Sequence, residues 1–278
     1  MKGMLFIGIW KISRPVNVLI AMLSIGVAAF ITGTLQPFSK VILAIFAGAF
    51  IAAGANTIND YFDLEIDRVN KPRRPLPAGL LSPQAALRLA IIEFLLGITA
   101  SLLINGLAFG IAILFSALLF FYSFKLKRLP LWGNLAVSLS TAAAFVFGGV
   151  AVNRIRLTFI PAALAFFYHF GREIIKDIQD MKGDARKLAK TFPLVFGKTA
   201  ALRLTTLNYI LLIILTILPF VFHWYGTKYF LTVVIGIYPV LLYSLVSIWK
   251  NQSPSNLGFV SNLLKADMLV GLLAIYLG

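Results

Sequence analysis

The chain has 278 residues, 60% of them hydrophobic, with 25 Lys and Arg against 10 Asp and Glu and no cysteine. The missing cysteine excludes disulfides, thiolate metal sites and a cysteine nucleophile, so any metal must be held by oxygen or imidazole. Repeated apolar runs of roughly 18 to 22 residues are what a hydrocarbon layer of about 30 Å demands, and they exclude a pair of soluble domains in favour of a polytopic membrane protein.

The segment through Lys11 and Arg14 enters the first apolar run without a small-residue cleavage site, so the N-terminus is expected to be retained. Apolar helices are predicted at 16–33, 41–58, 85–104, 107–123, 132–151, 158–176, 200–222, 228–248 and 260–277, which makes nine spans. Pro15, Pro83, Pro130 and Pro161 stand near helix starts, where the missing amide is tolerated. Ser13-Arg14-Pro15 and Ser82-Pro83 read as helix entries, and Asn105-Gly106 as a short hairpin between the third and fourth spans.

Nine spans put Lys2, Lys11, Arg14, the Arg68–Arg74 run, Lys125, Lys127, Arg128, the Arg172–Arg203 run and Lys250 on one side. Only Lys40, Arg154, Arg156 and Lys228 fall on the other. The positive-inside rule then places the N-terminus in the cytoplasm of a multi-pass cell-membrane protein. The same bias, with attraction to anionic headgroups, accounts for the net charge of +15 without nucleic-acid binding.

Eight of the ten acids lie in two clusters, Asp60, Asp63, Glu65 and Asp67 after the second span, and Glu173, Asp177, Asp180 and Asp184 after the sixth. Glu93 and Asp267 stand apart. Asn56, Asn59/Asp60, Asp63 and Asp67 recur every three or four residues, as does the second set, so a continuing helix would show each on one face. Stacked carboxylates repel and need a compensating cation. An all-oxygen set suits Mg²⁺, usually held by one or two carboxylates together with substrate phosphates.

Two such faces opposed across a bundle would hold Mg²⁺ against a diphosphate. Arg68, Lys71, Arg73, Arg74, Arg172, Lys176 and Lys182 would neutralise the remaining charge, and Tyr122 and Lys125 add a phenol and an ammonium one turn apart. Either cluster alone would read as a solvated helix end, and Tyr122 with Lys125 as a snorkelling interface pair. Neither cluster has the Gly-centred loop and terminal Glu of an EF-hand. His169 and His223 are isolated and are not taken as ligands. The two clusters suggest a weak internal correspondence, without a repeat that establishes duplication.

N-D-Y-F-D-L-E-I-D at 59–67 resembles the first aspartate-rich motif of the UbiA superfamily of intramembrane prenyltransferases. D-I-Q-D-M-K-G-D at 177–184 resembles its second, and Y-S-F-K at 122–125 its Tyr-x-x-Lys motif. The resemblance covers essentially the whole chain and implies an all-α bundle of nine transmembrane helices around a central cavity. It also implies a single domain over 1–278, with loops 59–84 and 177–199 capping the site. Within the superfamily, R-P-V-N at 14–17, N-K-P-R-R-P-L-P-A-G at 70–79, G-R-E-I-I-K-D-I-Q-D-M-K-G-D at 171–184 and K-T-F-P-L-V-F-G at 190–197 are most similar to the branch that forms the second ether bond of archaeal membrane lipids.

The resemblance implies a geranylgeranyl diphosphate donor and geranylgeranylglyceryl phosphate as the lipid-phosphate acceptor. Asn59, Asp63, Asp67, Asp177, Asp180 and Asp184 would bind Mg²⁺ directly or through water, with Asn56 and Asp60 supporting. Asp63, Asp67, Asp180 and Asp184 are the catalytic candidates. Tyr122, Lys125, Arg68 and Lys176 would contact the diphosphate, and Arg14, Lys71 and Arg74 are candidates for the acceptor phosphate. Metal and cations would stabilise the departing diphosphate, and Asp60 is one candidate to take the hydroxyl proton. Two other readings compete: an aromatic prenyltransferase acting on a quinone precursor, and a cation-coupled transporter, whose acids should lie near mid-membrane. Oligomeric state is not legible in the sequence.

Overall fold

Proline and small polar residues mark where the apolar segments begin, and the structure starts its helices there. It is a computed structural model that describes residues 2–186 and 189–278, and among them all regular structure is helical. In chain order the helices are α1 (Lys2–Ile12), α2 (Pro15–Phe30), α3 (Phe38–Phe62), α4 (Leu64–Asn70), α5 (Pro83–Leu102), α6 (Gly106–Phe124) and α7 (Trp132–Ala151). There follow α8 (Phe159–Arg186), α9 (Phe192–Phe196), α10 (Lys198–Val221), α11 (Thr227–Thr232), α12 (Tyr238–Lys250) and α13 (Pro254–Tyr276). A π-helical turn, Val233–Ile237, joins α11 to α12.

Ser82 accepts a hydrogen bond from the Ala85 amide to cap α5, with Pro83 in the first turn. Asn105 caps α6 through the Ala108 amide, and its Nδ2 donates to the Val150 carbonyl, so the short hairpin is also tied to α7. The Ser13-Arg14-Pro15 entry differs in detail, because Ser13 Oγ donates back to Ile9 O at 2.9 Å and Arg14 takes the cap position with φ 52°.

Seven described helices are long and apolar enough to cross a membrane: α3, α5, α6, α7, α10, the Thr227–Lys250 run and α13. Residues Phe6–Ile12 and Pro15–Phe30 pass the same test only as a pair bent by 54°. Length and composition therefore support seven spans, or eight with that pair, and do not confirm nine. The reason is local: α2 alone has 16 residues, and α8, although 28 residues long, carries Arg172, Glu173 and Lys176 within its apolar part.

The chain sorts into two compact units, Met1–Leu126 with Val146–Arg156, and Lys127–Phe145 with Leu157–Gly278. In the first, α3 packs on α5 through small residues, with Ala44, Ala47, Ala86 and Ala90 fully buried. A Cβ added at Gly97 would come within 2.8 Å of Ala47 O and 3.2 Å of Ile51 N, so the two backbones are in contact. Lipid tails are as apolar as leucine, so close packing of this kind, rather than hydrophobic burial, holds membrane helices together. In the second unit Ile174, Ile175, Tyr209, Leu212, Leu257 and Leu264 form a core among α8, α10 and α13. There a Cβ at Gly171 would lie 2.4 Å from the Tyr209 ring.

Gly97→Val should overpack the α3–α5 contact and lower stability by about 1–3 kcal/mol, read as a fall in the thermal midpoint in detergent. An unchanged midpoint would contradict the close approach.

Candidate active site

The first acid set lies where α3 gives way to α4. Asp63 stands outside both helices, with φ −93° and ψ 0°. Its amide still donates to Asn59 O at 3.0 Å, and the Asp67 amide donates to Asp63 O at 2.8 Å, so the helical bonding continues across the interruption. Asp60 and Asp67 are buried, while Asn56, Asn59 and Asp63 are half-buried.

Two arginines from other parts of the unit reach these acids. Arg14 follows the α1–α2 bend, which Asn56 fixes by donating from Nδ2 to Ser13 O at 2.9 Å while accepting from Asn17 Nδ2 at 3.4 Å. From its left-handed cap position Arg14 Nη2 donates to Asp60 Oδ1. Arg74 Nη1 donates to Asp67 Oδ2 at 2.5 Å and to Asp60 Oδ1 at 3.2 Å.

The loop carrying Arg74 is held by local chemistry and by apolar anchors. The Lys71 amide donates to Asp67 O, the Arg74 amide to Lys71 O and the Ala78 amide to Arg74 O. Gly79 supplies the positive φ that turns the chain back. Leu76 and Leu81 pack with Ile12 and Ala86. Position 74 is therefore fixed on both sides before its guanidinium meets a carboxylate.

Burial pushes the Asp67 carboxyl above its ordinary 3.8, and Arg74 offsets part of that effect; Asp63 and Asp60 add smaller upward contributions. A raised carboxyl means the folded chain holds this proton more tightly, so Asp67's contribution to stability falls as pH rises through the window above 3.8. Arg68 pairs with Glu65 at 2.9 Å, but both side chains are exposed, 58% and 79%, which makes this a solvated pair of small worth. Lys71 and Arg73 are exposed, and with Pro72 and Arg74 they line an open depression. Lys125 ends α6 with an exposed side chain, one turn from the half-buried Tyr122.

The second acid set lies wholly on α8, which continues through Arg186 rather than ending at 176. Glu173 is buried and accepts from Lys176 Nζ at 3.0 and 2.8 Å and from Arg172 Nη1 at 3.2 Å. Asp177 accepts from Asn134 Nδ2 at 2.8 Å. Asp180 is exposed and Asp184 half-buried. Glu173 therefore serves as the counter-ion of its own helix's cations, and Asp177, Asp180 and Asp184 lie beyond it.

Among the described residues no group of three or more carboxylate or imidazole side chains is placed to hold a metal ion by itself. The donor chemistry nevertheless fits Mg²⁺ bound as a diphosphate complex, since that ion commonly takes one or two carboxylates and completes its shell with water and substrate phosphates. Asp63 and Asn59 in the first set, and Asp180 and Asp184 in the second, are oxygen donors that solvent reaches.

Two participants escaped the sequence pattern, and a third was found by it without its partners. Asn134 is a single buried amide in an apolar helix, and its position in α7 near Pro130 was the available signal. Ser13 acts through its backbone oxygen, which no motif records. Glu173 matched the spacing of its set but not its role. The two stray acids take hydroxyl partners: Glu93 accepts from Ser13 Oγ at 3.2 Å, and Asp267 accepts from Tyr168 OH at 2.8 Å.

The UbiA prenyltransferase family matches residues 18–263. The chain is 36% identical over 264 residues to the digeranylgeranylglyceryl phosphate synthase of Methanopyrus kandleri, covering 95% of this chain and 96% of the relative. It is 36% identical over 265 residues to the enzyme of that name from Thermococcus gammatolerans, covering 95% of each. A solved structure of digeranylgeranylglyceryl phosphate synthase in membranes superimposes with a TM-score of 0.79 at 31% identity, over 99% of this chain and 98% of that one. A UbiA homologue from Archaeoglobus fulgidus bound to GPP and Mg²⁺ shares the fold, with a TM-score of 0.72 at 22% identity over 96% of this chain and 99% of that one.

Arg74→Gln leaves Asp60 with Arg14 alone and takes from Asp67 the guanidinium that pairs with it, and should cost about 3 kcal/mol of stability. Adding Asp67→Asn should restore part of the lost thermal midpoint. An unaltered midpoint in the single variant would contradict the clamp.

Proposed function

The chain belongs to the UbiA prenyltransferase family, and on that premise we propose that it transfers a geranylgeranyl group from geranylgeranyl diphosphate to the free hydroxyl of geranylgeranylglyceryl phosphate. The observation that carries this reading is 36% identity, over nearly the full length of both chains, to synthases named for the doubly substituted product. The allylic C–O bond of the donor breaks and its electron pair leaves with diphosphate. The acceptor oxygen forms the new ether bond and releases its proton, and inorganic diphosphate is the second product.

Asn59, Asp63, Asp67, Asp177, Asp180 and Asp184 are the residues that would hold Mg²⁺, supplied with the diphosphate. The ion would neutralise charge on the departing group. Lys125 and Tyr122 bind donor oxygens, and Lys176 acts from the position in which Glu173 holds its ammonium. Asp60, a sequence candidate for the proton acceptor, binds Arg14 and Arg74 through Oδ1, which supports a role in orienting those cations. The apolar helices keep water from the allylic carbocation. On the distribution of Lys and Arg, the loops after both acid sets are assigned to the cytoplasm.

Purified protein with both substrates should form the ether only when Mg²⁺ is present. Asp63→Ala and Asp184→Ala should each lower kcat/KM by about 10² or more, the scale of losing a group that stabilises developing charge. Loss of less than tenfold in both, or full activity in a chelator, would sink the metal assignment.

A further inference from the structure

Arg73 and Arg74 are neighbours in sequence with opposite surroundings. Arg74 turns inward, its side chain 23% exposed, and its Nη1 is shared between Asp60 and Asp67. Arg73 is exposed and, among the described residues, makes no ion pair. Pro72 and Pro75 fix φ on either side of the pair, and the buried Leu76 anchors the loop. The result is a preorganised basic depression lined by Lys71, Pro72, Arg73 and Arg74.

We propose that this depression binds the phosphate monoester of the lipid acceptor, with Arg73 as the cation that faces it. The proposal rests on the activity assigned above and locates one substrate group within it. The reacting hydroxyl and the phosphate share one glycerol unit, so the phosphate must bind directly beside the groups that handle the donor. Arg74 meets that condition, because it lines the depression and grips Asp60 and Asp67 at the same time.

Charge supports the same assignment. A phosphate next to bare carboxylates would be repelled, but Arg14 and Arg74 already compensate Asp60 and Asp67. Arg73 therefore adds a positive charge that a dianion can use. The depression is also open, which suits an amphiphile whose head stays in a polar region while its chain lies among apolar helices.

The test compares wild type, Arg73→Gln and Arg73→Lys with geranylgeranyl diphosphate and either geranylgeranylglyceryl phosphate or its dephosphorylated form, geranylgeranylglycerol. Losing one charge-assisted hydrogen bond should raise KM for the phosphorylated acceptor about tenfold in Arg73→Gln. Arg73→Lys should recover most of that loss, and donor KM should not follow. The wild-type preference for the phosphorylated acceptor should shrink by the same factor. An unchanged acceptor KM overturns the proposal. So does an equal loss with both acceptors, which would mean a general attraction to bulk lipid headgroups. No ether product from wild type with either acceptor would instead overturn the assigned activity, and this subsite with it.

Discussion

The alternation Arg14–Asp60–Arg74–Asp67 is the constraint on which the first unit's site depends. Two carboxylates buried at a helix end would repel each other and strongly favour protonation. Two guanidiniums offset part of that conflict, and each comes from a segment whose path is set independently. Arg14 is placed by the α1–α2 bend and its backbone tie to Asn56, and Arg74 by a proline-framed loop anchored through Leu76 and Leu81. Electrostatics thus ties together three parts of the chain that hydrophobic packing alone would leave loosely registered in lipid.

The second acid set meets the same difficulty on a single helix. Glu173 is compensated by Arg172 beside it and Lys176 one turn on, and Asp177 accepts a hydrogen bond from the amide of Asn134. In the first set the buried Asp60 and Asp67 are paired with arginines, and in the second the buried Glu173 is paired with cations of its own helix. A resident metal would need several free carboxylates in one place. An ion arriving with its own phosphate ligands needs fewer.

Helix positions were legible because apolar runs, proline starts and the Ser82 and Asn105 caps each have a local cause. The span count was less so, since α2 is short, α1 joins it at a bend and α8 carries charge into its apolar part. The acids were legible as two sets from their scarcity elsewhere. Their division of labour was not, because spacing puts Glu173 and Asp177, or Asp60 and Asp63, on one face without saying which turns toward an arginine. Arg68, a candidate for diphosphate contact by its motif position, meets Glu65, three residues earlier, in an exposed pair that spacing alone does not single out. Asn134 lacked any partner motif, and only the tertiary contact with Asp177 gives it a role.

Prenyl transfer to a lipid phosphate is the activity proposed for these charge sets. Its most direct measurement offers purified protein geranylgeranyl diphosphate and Mg²⁺ with equal amounts of geranylgeranylglyceryl phosphate and 4-hydroxybenzoate, and identifies the product by mass. The expected product is the doubly geranylgeranylated glyceryl phosphate ether, with no prenylated benzoate. A carbon-prenylated aromatic product, with the glyceryl phosphate untouched, would contradict it.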